Sequence, residues 1–170
     1  MLGLQKGTVK LVPHDEVWHR LFAREAEHLR AALGGLAAAV EHVGSTAVCG
    51  ISAKPVLDIA AAVREIADAA ECVAPLEALG YEYRGEHGIP GRHYFTRGEP
   101  RTHHLHLVEL GGAFWRDHLL FRDHLRRHPH VAKGYEDLKK RLAGEYPEDR
   151  GAYTEGKAAF IRNVLEAARR

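Results

Sequence analysis

The sequence predicts a mixed α/β layer protein with helices at both ends, and three observations carry that reading. Val56–Val63 is a nearly continuous apolar run of the kind that fills a central strand buried on both faces. Three short segments with strand character follow between Tyr81 and Leu110. Apolar residues recur at a 3.6-residue period near the start of the chain and again from Phe114 to Ala168.

In chain order, Thr8–Val12 reads as a short extended segment. Asp15 then caps a helix whose stripe is Trp18, Leu21, Phe22, Leu29 and Leu33, and Gly34-Gly35 ends it. Ala38–Val43 is a strand running into the turn Gly44-Ser45-Thr46, and Val56–Val63 is the strand that returns. Ile66, Ala70, Val73, Leu76 and Leu79 suit a helix closed by Gly80, which Pro75 should kink or split because it lacks an N–H. Tyr81–Arg84, His93–Arg97 and His103–Leu110 read as strands, about five in all. Gly85–Pro100 is rich enough in Gly and Pro for a mobile loop. Phe114, His118, Phe121 and Leu125 mark a helix ending at Pro129, Val131–Ala143 a second, and Tyr153–Ala168 a third with Phe160, Ile161, Val164 and Leu165 inward.

No repeat, low-complexity run or linker divides the 170 residues, which suffice for one domain and a core without staples. Hydrophobic residues at 45% and charged residues at 28% are those of a chain that folds. Lys+Arg 24 against Asp+Glu 23 gives +1 with histidines neutral, so no basic field argues for nucleic acid or an anionic membrane as partner. Histidine is the outlier at 13 residues, and mild acidification adds charge through it. Cys49 and Cys72 exclude a disulfide framework and every CxxC-type zinc or redox motif, and read as two reduced thiols. With no apolar segment of a signal peptide or membrane span, the expected location is the cytoplasm. The oligomeric state is not legible.

Three groups of residues suggest chemistry. In HVGSTAVCGISAKPVLDI, residues 42–59, a small Gly-Ser-Thr turn lets backbone amides and hydroxyls approach an anion, and Asp58 returns on the next strand. A carboxylate inside the run VLDIAAAV is costly to bury alone, so Asp58 faces a cation, a donor or a cleft, with Lys54 or an arginine as a purely structural alternative. In RTHHLHLVEL, residues 101–110, alternation places His104 and His106 on one strand face and His103, Leu105 and Leu107 on the other. Such a pair chelates a divalent metal if Asp58 and Glu41 join it from neighbouring strands, or else serves as core or substrate-orienting imidazoles. Tyr153 and Lys157 lie one helical turn apart, setting an amine beside the core or snorkelling at its rim. Arg122 and Arg126 suit phosphate or carboxylate, and equally suit salt bridges to Asp117, Asp123 or Glu136.

The succession VPHDEVWHRLFAREAEHL, VEHVGSTAVCGISAKPVLDI, LGYEYRGE, THHLHLVE, FRDHLRRHP, YEDLKKRLA and YTEGKAAFI resembles the GrpB family from about Val9 to Ala168. The resemblance implies a nucleotidyltransferase-like α/β (α+β) fold, with a mixed, largely antiparallel sheet and helices packed on it. Members of that family also occur fused to dephospho-coenzyme A kinase. In the nucleotidyltransferase superfamily a Gly-Ser turn and an Asp-x-Asp or Asp-x-Glu pair hold nucleotide phosphates and two divalent metals. Gly44-Ser45 matches the turn and Asp58 the first acid, whereas Ala60 stands where the second acid belongs. The resemblance therefore implies a protein binding a nucleotide or other phosphorylated small molecule at Gly44, Ser45 and Thr46, with Lys54, Lys157, Tyr153 and Arg122 on the phosphate. A divalent ion (Mg, Mn or Zn) would sit on Asp58, His104, His106 and Glu41, and Asp58 would be the catalytic acid of metal-assisted nucleotidyl or phosphoryl transfer. The alternatives are a non-catalytic accessory module that has lost two-metal chemistry, and a single-metal hydrolase using the His104-x-His106 strand.

Overall fold

The computed structural model describes residues 1–170. Helix α1 (Val17–Leu33) starts where Asp15 Oδ1 accepts from the Val17 amide at 3.0 Å, and it ends at Gly34, whose φ of 54° suits glycine. Strand β1 (Ala39–Val43) passes through Gly44 into a single 3₁₀ turn, Ser45–Ala47, and returns as β2 (Leu57–Val63). Helix α2 (Ala69–Ala78) and strands β3 (Glu82–Tyr83), β4 (His93–Arg97) and β5 (His103–Glu109) follow. The chain closes with α3 (Ala113–Arg127), α4 (Pro129–Glu145), α5 (Arg150–Glu155) and α6 (Ala158–Ala168). No helix is long and apolar enough to cross a membrane.

The strand order is β1-β2-β5-β4-β3, and only β2 and β5 run parallel. The sheet is thus mixed and largely antiparallel, and β2 and β5 lie inside it, which accounts for their apolar character. Register decides what each face carries, because directly opposed residues point the same way. Leu57, Ile59, Ala61 and Val63 align with His103, Leu105, Leu107 and Glu109. The apolar members of that set meet Trp18, Leu29, Leu76 and Phe95 in the main core under α1 and α2. Full burial of Leu57, Ile59, Leu105 or Leu107 is worth about 1.5–3 kcal/mol each. Asp58, Ala60 and Ala62 align with His104, His106 and Val108 on the opposite face. There Trp115 of α3 packs on Val43, Ala60, Ala62 and Val108. Beside Asp58 the cover comes instead from Phe121, Tyr135, Lys139, Tyr153 and Lys157.

Two elements depart from expectation. Pro75 lies inside α2, and the break falls earlier, between a 3₁₀ turn at Ile66–Asp68 and Ala69. Ala69, Cys72 and Leu76 are buried before and after the proline, so core packing on both sides outweighs one lost hydrogen bond. The single helix read over Tyr153–Ala168 is α5 and α6, with Gly156 and Lys157 between them. A Cβ on Gly156 would come within 2.5 Å of Leu142 Cδ2, so any larger residue there would have to displace that side chain of α4. The break leaves Lys157 as the residue before α6, lining the space beside Asp58.

Candidate functional site

A cavity of about 120 Å³ lies between the Gly44–Thr46 turn, β2 and helices α4 and α5. Three lysines converge on it. Lys139 is 2% exposed, and its Nζ donates to Ser45 Oγ at 2.9 Å and to the Ser52 carbonyl at 2.6 Å. The amines of Lys54 and Lys157 lie over the Tyr153 ring, 5.4 and 4.6 Å from its centroid, so buried Tyr153 serves them with its π face. Burial, reinforced by Lys157 and Lys54 and opposed by Glu136, pulls Lys139 down to about 7. Burial and the charge of Lys54, opposed by Asp58, pull Lys157 down to about 8. Burial also lowers Lys54, against the attraction of Asp58. Three amines facing one carboxylate make a space short of negative charge.

That carboxylate is fixed from two sides. Gly44, at φ 70°, packs so tightly on it that a Cβ would stand 2.8 Å from Asp58 Oδ2. On the other side, His104 Nδ1 donates to Asp58 Oδ1 at 3.2 Å, and His106 Nε2 lies 3.5 Å from the same oxygen. Burial alone would raise Asp58, but the two imidazoles outweigh it and hold the carboxyl well below its usual range. His106 is lowered by burial against the pull of Asp58; its Nδ1 sits 3.3 Å from Arg92 Nη1, and its ring stacks on Tyr94. Beyond His104 a more open cavity of about 520 Å³ is lined by Lys6, Arg84, Arg101 and Arg150. Arg101 Nη1 is buried there without a hydrogen-bond partner.

The structure thus gathers Gly44, Ser45, Lys54, Asp58, Tyr153 and Lys157 around one cavity, with His104 and His106 behind Asp58. Three expected members have other partners. Arg122 donates to Glu41 at 2.6 Å, Asp123 at 2.8 Å and the His42 carbonyl at 2.9 Å, so the pair Arg122–Glu41 ties α3 to β1. Thr46 lines the cavity, but its hydroxyl is bonded to His42 Nε2 at 2.9 Å. The donors around Asp58 do not fit a pair of hard ions. Ala60 replaces the second acid, the Asp58 oxygen is shared by two imidazoles, and amines occupy the surroundings in which Mg²⁺ needs oxygens. Sequence reasoning missed Lys139 and Tyr135. The available signal was a lysine in the buried stripe Ala132, Tyr135, Lys139 and Leu142 of α4, at a spacing that a solvated lysine avoids.

The turn, the acid and the histidine strand all lie within the stretch that a family model matches. A family model described as GrpB protein matches residues 8–167. Glutamate-rich protein GrpB of Alkalihalophilus pseudofirmus is 39% identical over 171 residues, covering 97% of this chain and 98% of that one. The UPF0157 protein YqkA of Bacillus subtilis is 40% identical over 166 residues, covering 97% of this chain, which spans 48% of that relative's length. More distantly, a dephospho-CoA kinase of Mycolicibacterium paratuberculosis is 28% identical over 97% of this chain, which spans 47% of that protein. The fold is similar to the crystal structure of conserved protein GrpB from Enterococcus faecalis, with a TM-score of 0.86, 36% identity, and coverage of 94% of this chain and 96% of that one. A match over nearly the whole length, in sequence and in fold, means that the chain belongs to the GrpB family.

Proposed function

We propose that this chain is a nucleotidyltransferase-like protein of the cytoplasm that binds a phosphorylated small molecule, of which a nucleotide is the leading class. The observation carrying this reading is the convergence of Lys54, Lys139 and Lys157 on Ser45 beside Asp58. Amines kept partly neutral by burial and mutual repulsion regain their charge when a phosphate arrives, so the site has most to gain from a dianion. The arginine-lined cavity beyond His104 supplies room and charge for the rest of a nucleotide. The name of one distant relative, dephospho-CoA kinase, of which this chain spans 47%, supports the nucleotide reading.

Binding without turnover is the better-supported form. Asp58 is held well below its usual range and is therefore a weak proton acceptor at neutral pH, whereas a general base works best with a pKa near the operating pH. The second reading is nucleotidyl or phosphoryl transfer, favoured by the packing of an acid, Asp58 on the next strand, against a phosphate-sized turn; in it the three lysines would stabilise developing charge. Calorimetric titration with inorganic phosphate, AMP, ADP and ATP, each with and without Mg²⁺, tests both. The proposal expects binding that survives chelator and weakens at least about tenfold in Lys139→Met, the scale of one charge-assisted hydrogen bond. Absence of binding across the panel, or affinities unchanged in both Lys139→Met and Lys157→Met, would overturn it. Product formation from ATP would select the transferase reading.

A further inference from the structure

Away from that cavity, His14, Glu16, His19 and Cys49 each bring one ligand atom to within 4.8 Å of all the others. His14 and Glu16 stand just before α1, His19 lies in its first turn, and Cys49 lies in the segment between the Gly44–Thr46 turn and β2. We propose that these four side chains form a binding site for a single zinc-class divalent ion, separate from Asp58 and its histidines.

Four properties carry the assignment. Two imidazoles, a thiol and a carboxylate are a complete tetrahedral set for Zn²⁺, and a poor one for Mg²⁺ or Ca²⁺, which demand oxygen. The geometry is close to closed: His19 Nε2 lies 3.3 Å from Cys49 Sγ, and His14 Nε2 lies 3.6 Å from Glu16 Oε1. Bonds of 2.0–2.3 Å at tetrahedral angles put neighbouring ligand atoms about 3.3–3.7 Å apart, so both edges fit. Next, the His14 side chain is 8% exposed, and neither ring nitrogen has a hydrogen-bond partner. A buried polar group left unpaired costs about 1–3 kcal/mol, and an ion bound at one nitrogen removes most of that cost. Finally, Glu16, with its side chain 76% exposed, is free to swing inward, and a cavity of about 580 Å³ reaches His19 and Cys49 from solvent and gives the ion a path.

The ion would tie the start of α1 to the segment that follows the phosphate-binding turn. The His19 ring meets His42 edge-on at 5.4 Å, and His42 holds Thr46, so the bound ion stands one imidazole away from that turn.

Co²⁺ titration of metal-free protein carrying no histidine tag tests the proposal directly. The expected result is one equivalent bound, with the visible bands of a tetrahedral ion and a thiolate-to-cobalt charge-transfer band, both displaced by Zn²⁺. Cys49→Ser should abolish the charge-transfer band, and Glu16→Gln should weaken binding by at least about tenfold. Both residues are exposed, so these variants remain folded if buried His14→Ala does not. Absence of stoichiometric binding would overturn the proposal, as would a spectrum without thiolate character. Loss of Co²⁺ binding in Asp58→Asn with retention in Cys49→Ser would place the ion at the phosphate cavity and refute this site. Phosphate binding that persists in Cys49→Ser separates the two assignments.

Discussion

Raising the pH from about 7.5 to 9.5 should release a bound phosphate monoester from the lysine cavity, although the ligand itself keeps its full charge over that range. In the free protein Lys139 is pulled to about 7 and Lys157 to about 8. A phosphate dianion against these amines favours their charged forms, returning each toward the ordinary lysine value near 10.4. Binding above pH 7 must therefore take up protons, and affinity must fall as pH rises. For Lys139 alone the two-unit rise costs about 75-fold in affinity, or about 2.6 kcal/mol, and Lys157 adds up to about 25-fold. Calorimetry with AMP in two buffers of different ionisation enthalpy reads the uptake at each pH. Lys139→Met should remove about one proton of uptake near pH 9 and flatten the slope accordingly. An affinity independent of pH, or proton release on binding, would refute the claim that these amines receive the phosphate.

Three further outcomes follow from the same geometry. Gly44→Ala should cost about 1–3 kcal/mol in urea denaturation, because the new Cβ meets the Asp58 carboxylate and sits at a φ of 70°. Arg97→Met should cost about 3–5 kcal/mol by the same measurement, since it strands Glu25, which is 5% exposed and accepts from Arg97 at 2.8 and 2.7 Å and from Tyr81 at 2.7 Å. Burial opposes ionisation of Glu25, but Arg97 and Tyr81 outweigh it and lower the carboxyl below 4.5. Its contribution is therefore full above pH 4.5 and lost as pH falls through the lowered value, so acid titration of stability should show a wild-type loss there that Arg97→Met lacks.

Alternation and apolar runs revealed the sheet because they report directly on register. Once β2 and β5 are paired, Asp58, His104 and His106 must share a face, and the period of two in each strand already says so. What was not legible depends on contacts between distant segments. Leu142 of α4 packs against Gly156, where the last helix breaks, and no local pattern around Tyr153 contains that contact. Arg122 looked equally suited to phosphate and to salt bridges, and only the approach of α3 to β1 assigned it to Glu41. Lys139 was hidden by its own composition, because the first lysine of YEDLKKRLA is buried while the next, Lys140, is solvated. His14 and His19 carry no motif, and their meeting with Cys49 across 30 or more residues is a property of the fold.

Replacing Asp58 by asparagine separates the metal-centred account of the phosphate cavity from the lysine-centred one. If a divalent ion on Asp58 held the phosphate, Asp58→Asn would abolish nucleotide binding, and wild-type binding would depend on added Mg²⁺ or Mn²⁺. If the lysines hold it, the carboxylate is a like charge beside the ligand, and its removal should leave AMP binding intact or tighten it at about pH 7. The pH profile should move as well. Asp58 opposes the lowering of both Lys54 and Lys157, so without it these amines lose their protons at lower pH. The decline in affinity should accordingly begin earlier in the mutant than in the wild type. A mutant that binds AMP at neutral pH but releases it sooner on alkalinisation has lost a counter-charge to the lysines. One that binds nothing at any pH, while unfolding as the wild type does, has lost a ligand of the ion.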